Sequence, residues 1–465
     1  MVSRIVPQLA SDWMSSLPIF LFESLAQLAE QRTFNAWVEG SSPSILTILQ
    51  ILHERCKMSD YNLMYLQKCL EKEKLRQQNT VELIASENFV SRNILEALGS
   101  CFTNKYSEGY PAERSSGFGN KGRYYGGCQN IDNVEDFCCE AWKLVFHTHG
   151  KYHVNVQPHS GSQANMAAYM SVLNPGNTIL SMSLDNGGHL THGSPVNFSG
   201  KLYNIVQYGV DKDGFIDYDD FRDKLRVHKP NLVLAGASAY SRTIHFDKMY
   251  EIINEISNDE YRPYFMVDMS HIAGLVAANM HPSPFGYADI VTTTTHKTLR
   301  GPRGGMIFCV NDLAKKVDSA VFPGCQGGPL QNVILAKAVC ACEALDPKFN
   351  CYIEQVVNNA SAMSEEFIRL GYDVVTGGTD NHMFLIDFSK THPNLTGKMI
   401  QDELDRHNIT VNKNCVPNEK RSPVQTSGIR IGTPAMTTKH WDEECFIDCA
   451  RRIDSIIKNL DNIHR

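Results

Sequence analysis

Five short apolar runs, Thr178–Met182, Leu232–Ala235, Tyr264–Val267, Ile290–Thr294 and Gly305–Val310, alternate with helical stretches through the middle of this chain. Strand–helix alternation at this spacing implies βαβ units and a mostly parallel sheet, covered by helices on both faces. At 465 residues the chain is too long for one small core, so two domains are expected. The large one should occupy residues 121–335. Past Gly328-Pro329 the pattern changes to a long helix around Val333–Leu345, then Gly-rich turns and β-like segments such as Met383–Phe388. Phe446, Cys449, Ala450, Ile453, Ile456, Ile457 and Leu460 close the chain as one helical stripe. Residues 336–465 therefore read as a smaller α+β domain.

Within the large domain, the segment Val291-Thr-Thr-Thr-Thr-His-Lys-Thr-Leu-Arg-Gly-Pro-Arg-Gly-Gly305 carries the chemistry. A β-branched run breaks there at Lys297, before a turn rich in Gly and Pro. An isolated lysine at a strand end is usually a surface residue, but Tyr264–Val267 ends just as abruptly in Asp268. Ligands of open parallel sheets lie beyond the carboxyl ends of the strands, so both residues should face one crevice. There the amine can form a Schiff base with an aldehyde cofactor, and the carboxylate can pair with a pyridinium nitrogen. Alone, Asp268 is as readily a helix N-cap. The Ser-Gly-Ser of His159–Asn165 precedes a helical stretch and offers backbone N–H groups and hydroxyls to a phosphate, or serves as an ordinary cap. His189 follows the Thr178–Met182 strand, where its ring could stack on a planar cofactor or sit in the core. Arg430 lies in an apolar, Gly-rich run and needs a carboxylate partner, either internal or belonging to a substrate.

Composition narrows the class. A net charge of −7 gives no electrostatic case for nucleic acid, and no run approaches the ~20 apolar residues of a membrane span. Fourteen cysteines without recurrent paired spacing suit free thiols in a reducing compartment and no metal site. Residues 1–57 fit neither a secretory signal nor an Arg-rich transit peptide; they read as a poorly ordered extension, with a cleaved targeting segment as the second reading. A cytoplasmic location follows, organellar if residues 1–57 act as a targeting segment. Residues 58–120 should hold a helix capped by Ser59 and running to about Gln77, then the arm Glu82–Phe89. A Tyr/Gly-rich loop spans Asn104–Gly127.

These motifs together resemble serine hydroxymethyltransferase, a pyridoxal-phosphate enzyme family of the aspartate-aminotransferase fold group, from about Asp60 to the C-terminus. The resemblance rests on Leu83-Ile-Ala-Ser-Glu-Asn88, Asn104-Lys-Tyr-Ser-Glu-Gly-Tyr-Pro111, His159–Asn165, Gly187-Gly-His-Leu-Thr-His-Gly193 and the tetra-Thr-His-Lys segment. It implies the fold type I architecture, with a seven-stranded-type sheet between helices. It also implies that Lys297 carries the cofactor, Asp268 pairs with its ring nitrogen, and His189 stacks on the ring. By the same resemblance Ser238 and His271 lie near the ring hydroxyl, while Ser160, Gly161, Ser162 and His296 hold the phosphate. Tyr106, Gly327 and Gly328 would reach the phosphate of another subunit, making a homodimer or tetramer with shared active sites. Ser86, Tyr125 and Arg430 would grip the amino acid, and Glu108 would handle protons between substrate and folate. Leu184, Gly188, Leu190, Tyr124, Ser422 and Val424 would line the folate pocket. The implied reaction passes the hydroxymethyl carbon of serine to tetrahydrofolate and leaves glycine.

The chain departs from the family in three places. Eleven residues, Ala112–Gly122, separate Pro111 from Arg123 where two are usual. Asp185-Asn186 replaces a small residue and His, and Val424 stands where Phe is common. The main alternative is a folate-independent threonine or β-hydroxy amino acid aldolase on the same fold, which needs Lys297, Asp268 and Arg430 but not Glu108.

Overall fold

In a computed structural model of the chain, the described residues are 45–111, 123, 128–148 and 150–464, with backbone alone for 45–61. Of the extension 1–57, expected to be poorly ordered, residues 1–44 fall outside them, as does the Ala112–Gly122 insertion, while 45–57 are helical. A 35-residue helix, Ile45–Asn79, forms part of one unit, and Thr80–Arg465 forms a second. That helix starts 14 residues before Ser59, so Ser59 is interior to it rather than at its start. Its side chains from 62 to 79 are exposed, with Glu73 paired to Arg76 and Gln77 one turn on. Propensity and such local pairs, rather than a buried stripe, account for this segment's helicity.

In the second unit, β1 (Val81–Glu82) pairs with a short strand near residue 409. The large sheet holds β2 (Tyr152–Asn155), β3 (Thr178–Met182), β4 (Asn204–Tyr208), β5 (Leu232–Ala235), β6 (Tyr264–Asp268), β7 (Ile290–Thr294) and β8 (Gly305–Val310). Their order is β2-β8-β7-β6-β5-β3-β4. Pairing is parallel from β7 through β4, while β8 runs antiparallel to both neighbours. All five strands read as apolar runs are present. Their residues alternate between two cores: Phe265 and Val267 join one with Val233, Val291 and Phe308, and Met266 joins the other with Leu234, Ile290 and Ile307. Both faces are covered by helices, which is why no polar alternation marks these strands. The sequence reading passed over β2 and β4; β2 contains His153 and Asn155, and β4 is an edge strand with polar Asn204 and Gln207.

A four-stranded sheet follows, made of β9 (Asp373–Val374), β10 (Met383–Asp387), β12 (Asn412–Asn414) and β13 (Gly428–Gly432), while β11 (Ile409–Thr410) is the partner of β1. Its core gathers Phe384, Ile386, Ile429 and Ile431 with the stripe Phe446, Ala450, Ile453, Ile457 and Leu460 of the Glu443–His464 helix. Leu83 of the arm belongs to this core too. The Pro347–Arg369 helix spans two cores: Phe349, Ile353 and Val356 pack with the large sheet, Met363 and Phe367 with the small one.

A buried ion network surrounds Arg123. Arg123 donates to Asp132 and Glu135 at 2.6 Å each and to the Gly109 carbonyl at 3.0 Å. Gln157 donates from its own amide to the same carbonyl and to Glu135. Arg123→Met removes the guanidinium that compensates the fully buried Glu135 carboxylate and should cost about 3–5 kcal/mol in urea unfolding. A loss under about 1 kcal/mol would show that the network is not structural.

Candidate active site

β6 ends in Asp268, which lies opposite Thr292 of β7, and Lys297 follows three residues after β7 ends. Both residues line one cleft of about 350 Å³ at the carboxyl end of the sheet. The neighbouring strand β5 stops at Gly236, whose φ is +119°, and a Cβ there would lie 2.1 Å from the Asp268 carbonyl oxygen. Only glycine lets the chain turn that close to the carboxylate's backbone.

Asp268 is buried, which by itself raises a carboxyl pKa. Here the hydrogen bond and charge of His192 (3.2 Å) and the amide of Asn165 (2.8 Å) outweigh burial and hold the group well below the usual carboxylate range. The Ser270 backbone N–H donates to its other oxygen at 3.0 Å. Thr292 donates to the Asn165 carbonyl oxygen at 2.6 Å, which fixes the amide with its NH₂ toward Asp268. The threonine run continues in this way. Thr294 accepts from Lys297 Nζ at 3.1 Å, and Thr298 donates to the His271 carbonyl.

Burial lowers the Lys297 pKa to about 8; Asp268 pulls it back up, while Arg430 and Arg303 push it down. His189 is pushed to about 4 by burial and then by His192, and His296 to about 3 by burial, so both rings are neutral. The Thr191 N–H donates to His189 Nδ1 at 3.2 Å, leaving the ring proton on Nε2. His271 is also held well below its usual value by burial and contacts His382 at 3.2 Å.

One corner suits an anion. The Gly161–Val172 helix opens there, with Ser160 as its N-cap, accepting from Gln163 N at 3.1 Å. Ser162, Ser270, Thr294 and His296 line the same cleft, and His296 Nδ1 is buried without a partner. Arg430 occupies another wall. It donates to the Ser238 carbonyl (2.5 Å) and Asn412 (2.7 Å), its Nε has no partner, and among the described residues no Asp or Glu pairs with it. Burial lowers its pKa to about 10. Ser86 stands in this cleft as well.

A second cleft, about 420 Å³, shares His189, Ser238 and Arg430 with the first and is lined by Leu184, Gly188 and Leu190. Pro423 borders it, but Ser422 and Val424 are exposed to solvent, Val424 by 68%. Asp185 and Asn186 line a different small cleft, with Tyr240 and Thr376. Glu108 lies elsewhere: it accepts from Tyr106 at 2.6 Å and, with Gly327, lines a separate open cleft by residues 322–327. Gly328 packs against the Ser107 carbonyl, where a Cβ would come within 2.7 Å. Tyr124 and Tyr125 lie outside the described residues. Asn165, His192, Ser270 and Asn412 were not singled out from sequence. Asn165 and His192 did stand inside the quoted motifs, three residues from His189 in the second case.

The lowered Lys297 pKa has a consequence for its reactivity. In the cofactor-free chain, its reaction with a pyridoxal-type aldehyde should accelerate as pH rises through about 8, because the free amine is the nucleophile. A midpoint near the ordinary lysine value of about 10.4, read from the absorbance of the adduct, would contradict the buried setting.

The donor set fits pyridoxal phosphate: a nucleophilic amine, an ionised carboxylate facing the same cleft, and a helix N-terminus with hydroxyls and an unpartnered imidazole nitrogen. Among the described residues no helix is long and apolar enough to cross a membrane. The family model for serine hydroxymethyltransferase matches residues 57–453, well over half of the chain. The chain therefore belongs to the serine hydroxymethyltransferase family, pyridoxal-phosphate-dependent transferases of serine and glycine one-carbon metabolism that use tetrahydrofolate as co-substrate.

Proposed function

We propose that this chain transfers the hydroxymethyl carbon of serine reversibly to tetrahydrofolate, giving glycine and 5,10-methylenetetrahydrofolate. The observation that carries the reading is Arg430: a buried guanidinium with an unpartnered Nε and, among the described residues, no acidic partner, between the Lys297 cleft and the Leu184–Leu190 cleft. Such a group is completed by a carboxylate that arrives with the substrate.

Pyridoxal phosphate, when bound, supplies the electron sink for breaking the serine Cα–Cβ bond. The residues do the rest. Lys297 would act as the nucleophile toward the aldehyde, its amine about half unprotonated near pH 8. Asp268 stays ionised and keeps a proton on the ring nitrogen. His189 offers a neutral ring of fixed tautomer to the flat cofactor, and Ser238 and His271 serve the ring hydroxyl. Ser160, Gly161, Ser162 and His296 take the phosphate. Ser86, Tyr125 and Arg430 orient the amino acid, and Glu108 moves the proton between it and the folate. Leu184, Gly188 and Leu190, with Tyr124 and the Ser422–Val424 turn, receive the pterin.

Glu108 and Gly327, with Tyr106 bonded to Glu108, line a cleft other than that of Lys297, which supports a second copy bringing them to the site. A homodimer with shared sites is the minimal assembly. The cysteines whose side chains are described are free thiols, which supports a cytoplasmic location.

Lys297→Ala should still bind the cofactor through its phosphate yet show no Schiff-base absorbance and no turnover; normal turnover refutes the nucleophile. Arg430→Lys should raise the KM for serine by roughly ten- to hundredfold with cofactor affinity little changed, since a point charge replaces a fork. Equal losses of both would make Arg430 structural. Serine cleavage should depend on tetrahydrofolate, and equal rates without it would establish the aldolase instead.

A further inference from the structure

Lys337 lies mid-way along the Gln331–Ala344 helix and is 1% exposed, yet the chemistry above does not use it. An ammonium carries three donors, and here all three are satisfied by backbone carbonyls: Val156 at 2.7 Å, Pro158 at 3.1 Å and Gly305 at 2.8 Å. These carbonyls are not scattered. Val156 and Pro158 lead directly into His159 and Ser160, the start of the anion corner, and Gly305 opens β8 beside it. Gly305 N also donates to the Pro158 carbonyl at 3.1 Å, and a Cβ on Gly305 would lie 2.2 Å from the Ser160 carbonyl. The lysine thus fastens the turn before the Gly161–Val172 helix to the first residue of β8. A buried cation is costly unless its donors are met, so apolar packing alone gives no reason to keep it there. Glu135, Cys138 and Cys139 of the Gln129–Val145 helix face the same ammonium. Burial lowers its pKa to about 8 while these groups hold it up.

We propose that Lys337 is the positioning residue of the phosphate-binding turn. By tying the Val156, Pro158 and Gly305 carbonyls together, it holds Ser160–Ser162 in the geometry that accepts the cofactor's phosphate, and its charge favours that dianion. The inference rests on the reading of Ser160–Ser162 as the phosphate site and deepens it: the cradle is set from behind, by a side chain that does not line the cleft.

The test compares equilibrium binding of pyridoxal phosphate and of unphosphorylated pyridoxal to the full-length, cofactor-free chain and to Lys337→Met. Lys337→Met keeps the length of the side chain and removes the charge and donors. The wild-type chain should prefer the phosphorylated form. In Lys337→Met that preference should fall by roughly tenfold or more, with pyridoxal affinity little changed, because only the phosphate contacts are misplaced. Inorganic phosphate should also compete less well in the variant. If both ligands weaken together, or neither does, Lys337 serves the fold alone and the proposal is overturned. A wild-type chain without any preference for the phosphorylated form overturns the phosphate-site reading itself. Should Lys337→Met fail to fold, Gly304→Ala decides on the same ratio, since its Cβ would meet Lys337 Cε at 2.5 Å and displace the lysine.

Discussion

The site depends on the parallel pairing of β6 with β7, which sets Asp268 beside Thr292. That register brings the carboxylate and the Lys297 amine to one end of the sheet, and the threonine run then acts as scaffolding. Thr292 orients Asn165, Asn165 donates to Asp268, and Thr294 accepts from Lys297. A slip of one residue in β7 would turn Thr292 to the opposite face and break this chain of bonds. The sheet's two apolar cores hold the register, since Val291 and Ile290 commit to opposite faces.

Burial then sets the charges. The same low-polarity setting that lowers the Lys297 amine to about 8 keeps His189 and His296 uncharged. It would also neutralise Asp268, were it not for His192 and Asn165. Arg430 stays cationic because guanidinium loses its proton too reluctantly for burial to matter at neutral pH. The cleft therefore combines a fixed anion, a fixed cation and a tunable amine, which suits a zwitterionic amino acid and a charged aldehyde cofactor.

Much of this was legible in the sequence, for physical reasons. Strands buried on both faces leave continuous apolar runs, so β3 and β5 to β8 stood out. Tyr152-His-Val-Asn155 and the edge strand Asn204–Tyr208 did not. Strand-end positions marked Asp268 and Lys297 without coordinates. Their supporting residues are tertiary facts: Asn165 reaches Asp268 across 103 positions, and spacing carries no trace of that. The Ile45–Asn79 helix begins earlier than its apparent Ser59 cap because local propensity continues upstream without a break. Nor does composition reveal that the Pro347–Arg369 helix serves two cores, since its apolar stripe is continuous. The separation of Glu108 from Lys297 within one chain could be read from the family resemblance, but not from the residues themselves.

The account's central claim is that one flat heterocycle lies between Lys297 and Asp268. A crystal structure of the chain grown with pyridoxal phosphate tests it most directly. Density should run unbroken from Lys297 Nζ to the cofactor's aldehyde carbon, with an Asp268 oxygen about 2.7–3.2 Å from the ring nitrogen. A cofactor joined to another lysine, or a ring nitrogen turned away from Asp268, would contradict it.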